Sequence, residues 1–109
     1  MELRELTIGG LQEQLRARAL TARQVAEQHL ASIEERNRAL GAFLTLCPER
    51  ALAQADAIDQ RVERGEALPP LAGVPVGVKD VIVTRGVPTT AGSRILENYR
   101  PPYDATAVA

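Results

Sequence analysis

Leu71-Ala-Gly-Val-Pro-Val-Gly-Val-Lys79-Asp80 is the stretch at which the character of this sequence changes. Before it, apolar residues recur at helical spacing. From Gly65 onward, Pro69, Pro70, Gly73, Pro75, Gly77, Gly86 and Pro88 punctuate short Val/Ile runs, the texture of strands joined by tight turns. Read as a strand, the segment turns Val74, Val76 and Val78 toward a core and gathers Pro75, Gly77 and Lys79 on the opposite face. The expectation is an α/β fold, helices first and strands later.

Outward toward the N-terminus, Thr7 is placed to cap a short helix whose apolar positions are Ile8, Leu11 and Leu15, with Gly9 and Gly10 weakening its first turn. Thr21 followed by Gln24 makes a capping box, and Leu20 can staple onto Val25 across it, so a second helix runs from about Thr21 to Arg36. Its apolar face gathers Ala22, Val25, Ala26, Leu30 and Ile33, and His29 falls on that face. Ala42 to Leu46 reads as a short strand. Pro48 then suits the first position of a third helix that ends near Gly65, with Leu52, Ala55, Ile58 and Val62 as its buried stripe. At the far end, Asp104 can cap a helix opening at Ala105.

Composition narrows the function. The 109 residues are 45% hydrophobic and 25% charged with a net charge of -1, which suits a globular domain with one modest core and gives no pull toward a phosphate backbone. Phe43, Tyr99 and Tyr103 are the aromatics, too few for a base-stacking surface. Cys47 has no second cysteine to pair with, and one histidine with one cysteine cannot hold a metal. The start MELRELTIGG lacks a basic flank and an apolar run of signal-peptide length, and no stretch approaches bilayer-spanning length, so the expected location is cytoplasmic.

Lys79 is the candidate for chemistry. Gly77 leaves a gap beside it through which a ligand or another backbone can approach, and desolvation favours the neutral form of an amine, the form a general base needs. A phosphate-cradling loop is excluded, because Gly77 and Lys79 are separated by Val78 and followed by Asp80 rather than by Gly-Lys-Ser/Thr. Adjacent residues of an extended chain point to opposite faces, so Asp80 is expected to hold backbone or cap a helix rather than pair with Lys79. On the pattern alone, the ordinary part of a solvated strand-end lysine is the stronger reading of Lys79.

Several ordered motifs narrow that choice. The run Leu71 to Asp80, then Thr84-Arg-Gly86, Thr89-Thr90-Ala-Gly-Ser93 and Pro101-Pro-Tyr-Asp104-Ala-Thr106, resembles the amidase signature family. Ser93-Arg-Ile-Leu-Glu-Asn-Tyr99 leading into Pro101 to Val108 is most similar to one branch, the glutaminase subunit of the amidotransferases that convert Glu-tRNA(Gln) to Gln-tRNA(Gln). The likeness covers essentially the whole chain. It departs at Val81, where many members carry Asn.

The resemblance implies an α/β/α fold around a mixed sheet, of which residues 1–109 are the N-terminal portion of a single amidase domain. It implies a triad of a nucleophilic serine, a bridging serine in a cis peptide and a lysine, and Lys79 matches the lysine. Both serines fall beyond position 109 in the family pattern, so the chain by itself is expected to be inactive. Ser93 matches a non-nucleophilic serine and is expected as a cap or turn hydroxyl, while Thr89 and Thr90 are expected to hold a loop near the site. Further implied are a heterotrimer with two other amidotransferase subunits, glutamine as substrate, tRNA held through a partner, and ATP and Mg bound by a partner subunit. A stand-alone amidase acting on another carboxamide and a non-catalytic interaction module are the alternatives.

Overall fold

In the computed structural model, which describes residues 3–109, the chain divides into two compact units. Unit 1 comprises Met1–Ala42 and Pro48–Pro75; unit 2 comprises Phe43–Cys47 and Val76–Ala109.

Unit 1 is built from three helices: α1 (Ile8–Arg16), α2 (Ala22–Leu40) and α3 (Pro48–Glu63). A short 3-10 turn, Leu3–Glu5, precedes them. Thr7 caps α1 through a bond from the Gly10 N–H to its hydroxyl, 2.9 Å. The capping box of α2 is complete: the Gln24 N–H donates to the Thr21 hydroxyl, and the Thr21 N–H donates to the Gln24 side chain, both at 3.0 Å. This helix runs past the expected stop at Arg36 to Leu40. Gly41 ends it, taking φ 59° and donating its N–H to the Asn37 carbonyl at 2.8 Å.

The core is small and lies where the expected stripes meet. Leu11, Leu15, Ala22, Val25 and Ala55 are buried, and Leu6, Leu20, Ala26, Ile58 and Val74 pack against them. Leu20 thus reaches the Val25 cluster as a staple should. Arg18 leaves α1 at φ 59° and sends its guanidinium to the Val62 and Glu63 carbonyls at 3.4 and 3.3 Å, placing a cation on the negative C-terminal end of α3.

The second half corrects the expected α/β class. Among the described residues there is no strand and no sheet; the regular structure is helical, and residues 64–109 are turns, irregular chain and one 3-10 turn, Arg94–Leu96. The Ala42 to Leu46 strand is likewise absent. A strand exists only through pairing with a second extended segment. The bonds made here instead close local turns, such as Val74 N–H to Leu71 O at 3.1 Å and Ile82 N–H to Lys79 O at 2.9 Å, or join loops singly, such as Ala105 N–H to Val83 O at 2.8 Å. Alternating valines reported a shared face without supplying a partner for it. Val74 reaches the core, whereas Val76 is 69% and Val78 47% exposed.

Asp104 also differs from expectation. Its carboxylate accepts the Arg85 N–H at 2.7 Å instead of capping a helix, and the residues after Ala105 form one turn, with Val108 and Ala109 N–H both donating to the Ala105 carbonyl.

Candidate active site

Lys79 lies in unit 2, exposed, and among the described residues its side chain takes no hydrogen bond or ion pair. Its main chain is held: the Lys79 carbonyl accepts the Ile82 N–H at 2.9 Å. Gly77 sits two residues before it, and a Cβ there would lie 3.7 Å from the Phe43 ring, ordinary contact distance, so Gly77 marks no crowded backbone.

Asp80 is the best-anchored residue nearby. Three consecutive backbone N–H groups converge on it: Thr90 to Oδ1 at 2.9 Å, Ala91 to the main-chain carbonyl at 3.0 Å, and Gly92 to Oδ2 at 3.3 Å. The Thr90 hydroxyl makes a further, short hydrogen bond to Oδ2. Those donors, the Thr90 hydroxyl first and the Thr90 N–H next, hold the Asp80 carboxyl below its ordinary pKa, because each favours the charged form. The expected backbone-holding part for Asp80 is what the geometry shows.

The loop so held is strained. Ala91 takes φ 50°, a conformation uncommon for a residue with a Cβ, and Gly92 follows at φ 71°. Thr90 therefore contributes twice, bonding Asp80 and accepting the Gly92 N–H on its hydroxyl at 3.2 Å. Thr89 is buried, donates its hydroxyl to the Val87 carbonyl at 3.1 Å and its N–H to the Tyr99 carbonyl at 3.0 Å. Ser93 caps the 3-10 turn, accepting the Ile95 N–H at 3.2 Å, in the place expected of a cap or turn hydroxyl.

The following loops are tied to one another. Gly86 N–H reaches the Pro101 carbonyl at 3.0 Å, Arg100 donates to the Gly86 carbonyl at 2.9 Å, and Arg85 Nε donates to the Pro102 carbonyl at 3.1 Å. The motifs Thr84-Arg-Gly86, Thr89 to Ser93 and Pro101 to Asp104, separate in sequence, are thus hydrogen-bonded in one unit around Asp80 and Asp104.

A family model described as Amidase matches residues 24–109. The chain belongs to the amidase family. Among amidase-family relatives it is 53% identical, over 107 residues and 98% of its length, to the A subunit of a glutamyl-tRNA(Gln) amidotransferase from Chloroflexus aggregans. It is 52% identical, over 94% of its length, to the protein of the same description from Streptomyces coelicolor. The chain spans 22% and 20% of those two proteins, about a fifth of the curated relatives it matches. A chain in a solved structure described as "An unexpected vestigial protein complex reveals the evolutionary origins of an s-triazine catabolic enzyme" superposes with a TM-score of 0.88 at 41% identity, covering 94% of this chain and 23% of that one.

In this amidase-family chain the structure also places His29 and Cys47. His29 lies in α2 with Nδ1 bonded to the Val25 carbonyl at 2.8 Å, on the wall of a hollow of about 120 Å³ in unit 1 that is otherwise mostly apolar. Cys47 is a free, half-buried thiol in unit 2. No group of three His, Cys, Asp or Glu side chains among the described residues could hold a metal ion, and no described helix is long and apolar enough to cross a membrane.

Sequence reasoning missed three residues that shape the scaffold. Gln12, buried in α1, donates Nε2 to the Pro70 carbonyl at 2.8 Å and the Ala72 carbonyl at 3.3 Å, pinning the start of the Leu71 to Asp80 motif. Gly73 in that motif takes φ 77°, and a Cβ there would fall 2.5 Å from Leu15 Cδ1. Asp59 of α3 caps α2. Only Gly73 had a local signal, its place in a Pro/Gly-rich turn.

Proposed function

We propose that this chain is the N-terminal, lysine-bearing part of a glutaminase subunit that supplies ammonia for amidation of Glu-tRNA(Gln) to Gln-tRNA(Gln). The observation that carries it is the likeness of nearly the whole chain, at about half its positions, to the A subunits of glutamyl-tRNA(Gln) amidotransferases. Lys79 is the general base. Its main chain is fixed while its side-chain nitrogen is left unengaged among the described residues, which suits an amine that, in its neutral form, must take and return a proton.

In the reaction the serine oxygen bonds the amide carbon of glutamine, and its proton passes through the bridging serine to Lys79. The carbon–nitrogen bond then breaks, the nitrogen leaves as ammonia with the returned proton, and water releases the acyl group. Both serines lie in sequence beyond position 109. ATP with Mg, and the tRNA, are bound by partner subunits of a cytoplasmic heterotrimer. The alternative kept from the sequence is a stand-alone amidase with another carboxamide. Ammonia release from glutamine and from a panel of other primary carboxamides, by the complete polypeptide with and without its partners, separates the two. Preference for glutamine that strengthens with partners supports the first, and turnover of another amide without them replaces it.

A further inference from the structure

The arrangement around Asp80 does more than brace a loop. Residue 80 is held at three acceptor atoms, Oδ1, Oδ2 and O, by the N–H groups of Thr90, Ala91 and Gly92, and residue 79 is held through its carbonyl. The main chain at residues 79 and 80 is therefore held at two successive carbonyls, with the Asp80 side chain as a further anchor, although it lies in irregular chain with no ladder to stiffen it. A carboxylate next to a lysine in sequence is also a potential partner for its ammonium. Here two N–H groups and one hydroxyl occupy the carboxylate oxygens, and charge-assisted bonds of this type are the stronger kind.

We infer that Asp80 is a positioning residue for Lys79: its carboxylate, engaged at both oxygens by the loop at 90–92, fixes the backbone from which the lysine projects and is drawn away from pairing with the lysine itself. This rests on Lys79 being the base, as proposed above. The strained φ of Ala91 supports it. A non-glycine residue is kept at φ 50° only where surrounding bonds over-determine it, and the bonds that do so here end on residue 80. Thr90 is the second half of the device, since its hydroxyl bonds both the Asp80 carboxylate and the Gly92 N–H.

The test uses the complete polypeptide, in its assembly, with Asp80→Ala, Thr90→Val, the double variant and Lys79→Ala, reading kcat and KM for glutamine. A base displaced by about an ångström loses on the order of 10²-fold in rate, so Asp80→Ala should lower kcat by that much with KM within about threefold. Thr90→Val should lower kcat by roughly tenfold, and the double variant should be no slower than Asp80→Ala alone, because both act through one clamp. A well-folded Asp80→Ala enzyme with kcat within about threefold of wild type, or one altered only in KM, overturns the inference. If Asp80→Ala does not fold, Thr90→Val decides: unchanged kcat at unchanged melting temperature overturns it. Lys79→Ala is read separately; if it stays active, the base assignment fails whatever Asp80 does.

Discussion

Asp59, near the end of α3, accepts the Ala22 backbone N–H at 2.7 Å and so caps a helix that begins 37 residues earlier in the chain. Its second oxygen takes the Arg23 N–H at 3.1 Å. With Thr21 and Gln24 serving the neighbouring positions, the first N–H groups of α2 all have partners. Asp59→Ala removes two acceptors at once and should lower stability by about 1–2 kcal/mol, against a smaller loss for Asp59→Asn, which keeps one carbonyl. Chemical denaturation of the variants in the complete protein checks the order; equal stability of all three would show that water satisfies these N–H groups.

Gln12 and Gly73 act on the same turn from two sides. Gln12→Leu leaves the Pro70 and Ala72 carbonyls without their donor and should cost about 1–3 kcal/mol. Gly73→Ala forces a Cβ into Leu15 at a φ that disfavours it, costing a further amount of about 1–3 kcal/mol. Melting temperatures report both, and a Gly73→Ala protein as stable as wild type would mean that Leu15 moves aside freely.

How far the sequence was legible follows from these residues. Thr7, Thr21 with Gln24, and the stripe through Leu11, Leu15, Val25 and Ala55 were readable because caps and helical periodicity are local. Asp59 and Gln12 were not, since their partners lie 37 and about 60 residues away and one carboxylate or amide looks like any other on paper. The expected strands failed for the same reason in reverse: Val74, Val76 and Val78 carried the right alternation, but pairing is a property of two segments. At the site, Asp80 was readable as a holder of backbone, while the loop it holds was not.

Asp80 gives the clamp a pH dependence with a definite sign. Its folded pKa is depressed by the Thr90 and Gly92 donors, so the stability it contributes is fully present above the ordinary aspartate value of 3.8. That contribution declines as pH falls below the ordinary value and is gone below the depressed one. The Thr90 and Gly92 amide signals should therefore titrate together in acid, with no change in the clamp between neutrality and the ordinary aspartate range. In Thr90→Val the transition should move up toward the ordinary value; an unmoved transition would assign the shift to another donor.

Taken by itself, the 109-residue polypeptide should show no glutaminase activity and should associate. On the proposed mechanism it carries the base without the nucleophile, and Val76, Val78, Val81 and Ile95 are exposed, the last at 93%. Sedimentation at several concentrations beside an ammonia assay tests both halves. A cooperatively melting monomer would favour an autonomous interaction module, and ammonia release dependent on Lys79 would sink the serine mechanism.

Lys79 itself gives the sharpest separation between charge and base. In the complete enzyme, Lys79→Ala removes the proton acceptor but no buried apolar group, since the side chain is exposed and unengaged among the described residues. Turnover of glutamine should fall by roughly 10²- to 10⁴-fold, the range expected for loss of a general base, with melting temperature nearly unchanged. Lys79→Arg preserves the positive charge and the length but stays protonated throughout the neutral range, so it should be as slow as the alanine variant. Were Lys79 present only to attract or orient the substrate, arginine would restore most of the rate. Steady-state kcat and KM for both variants decide: activity of Lys79→Ala within tenfold of wild type, or rescue by arginine, would remove Lys79 from proton transfer.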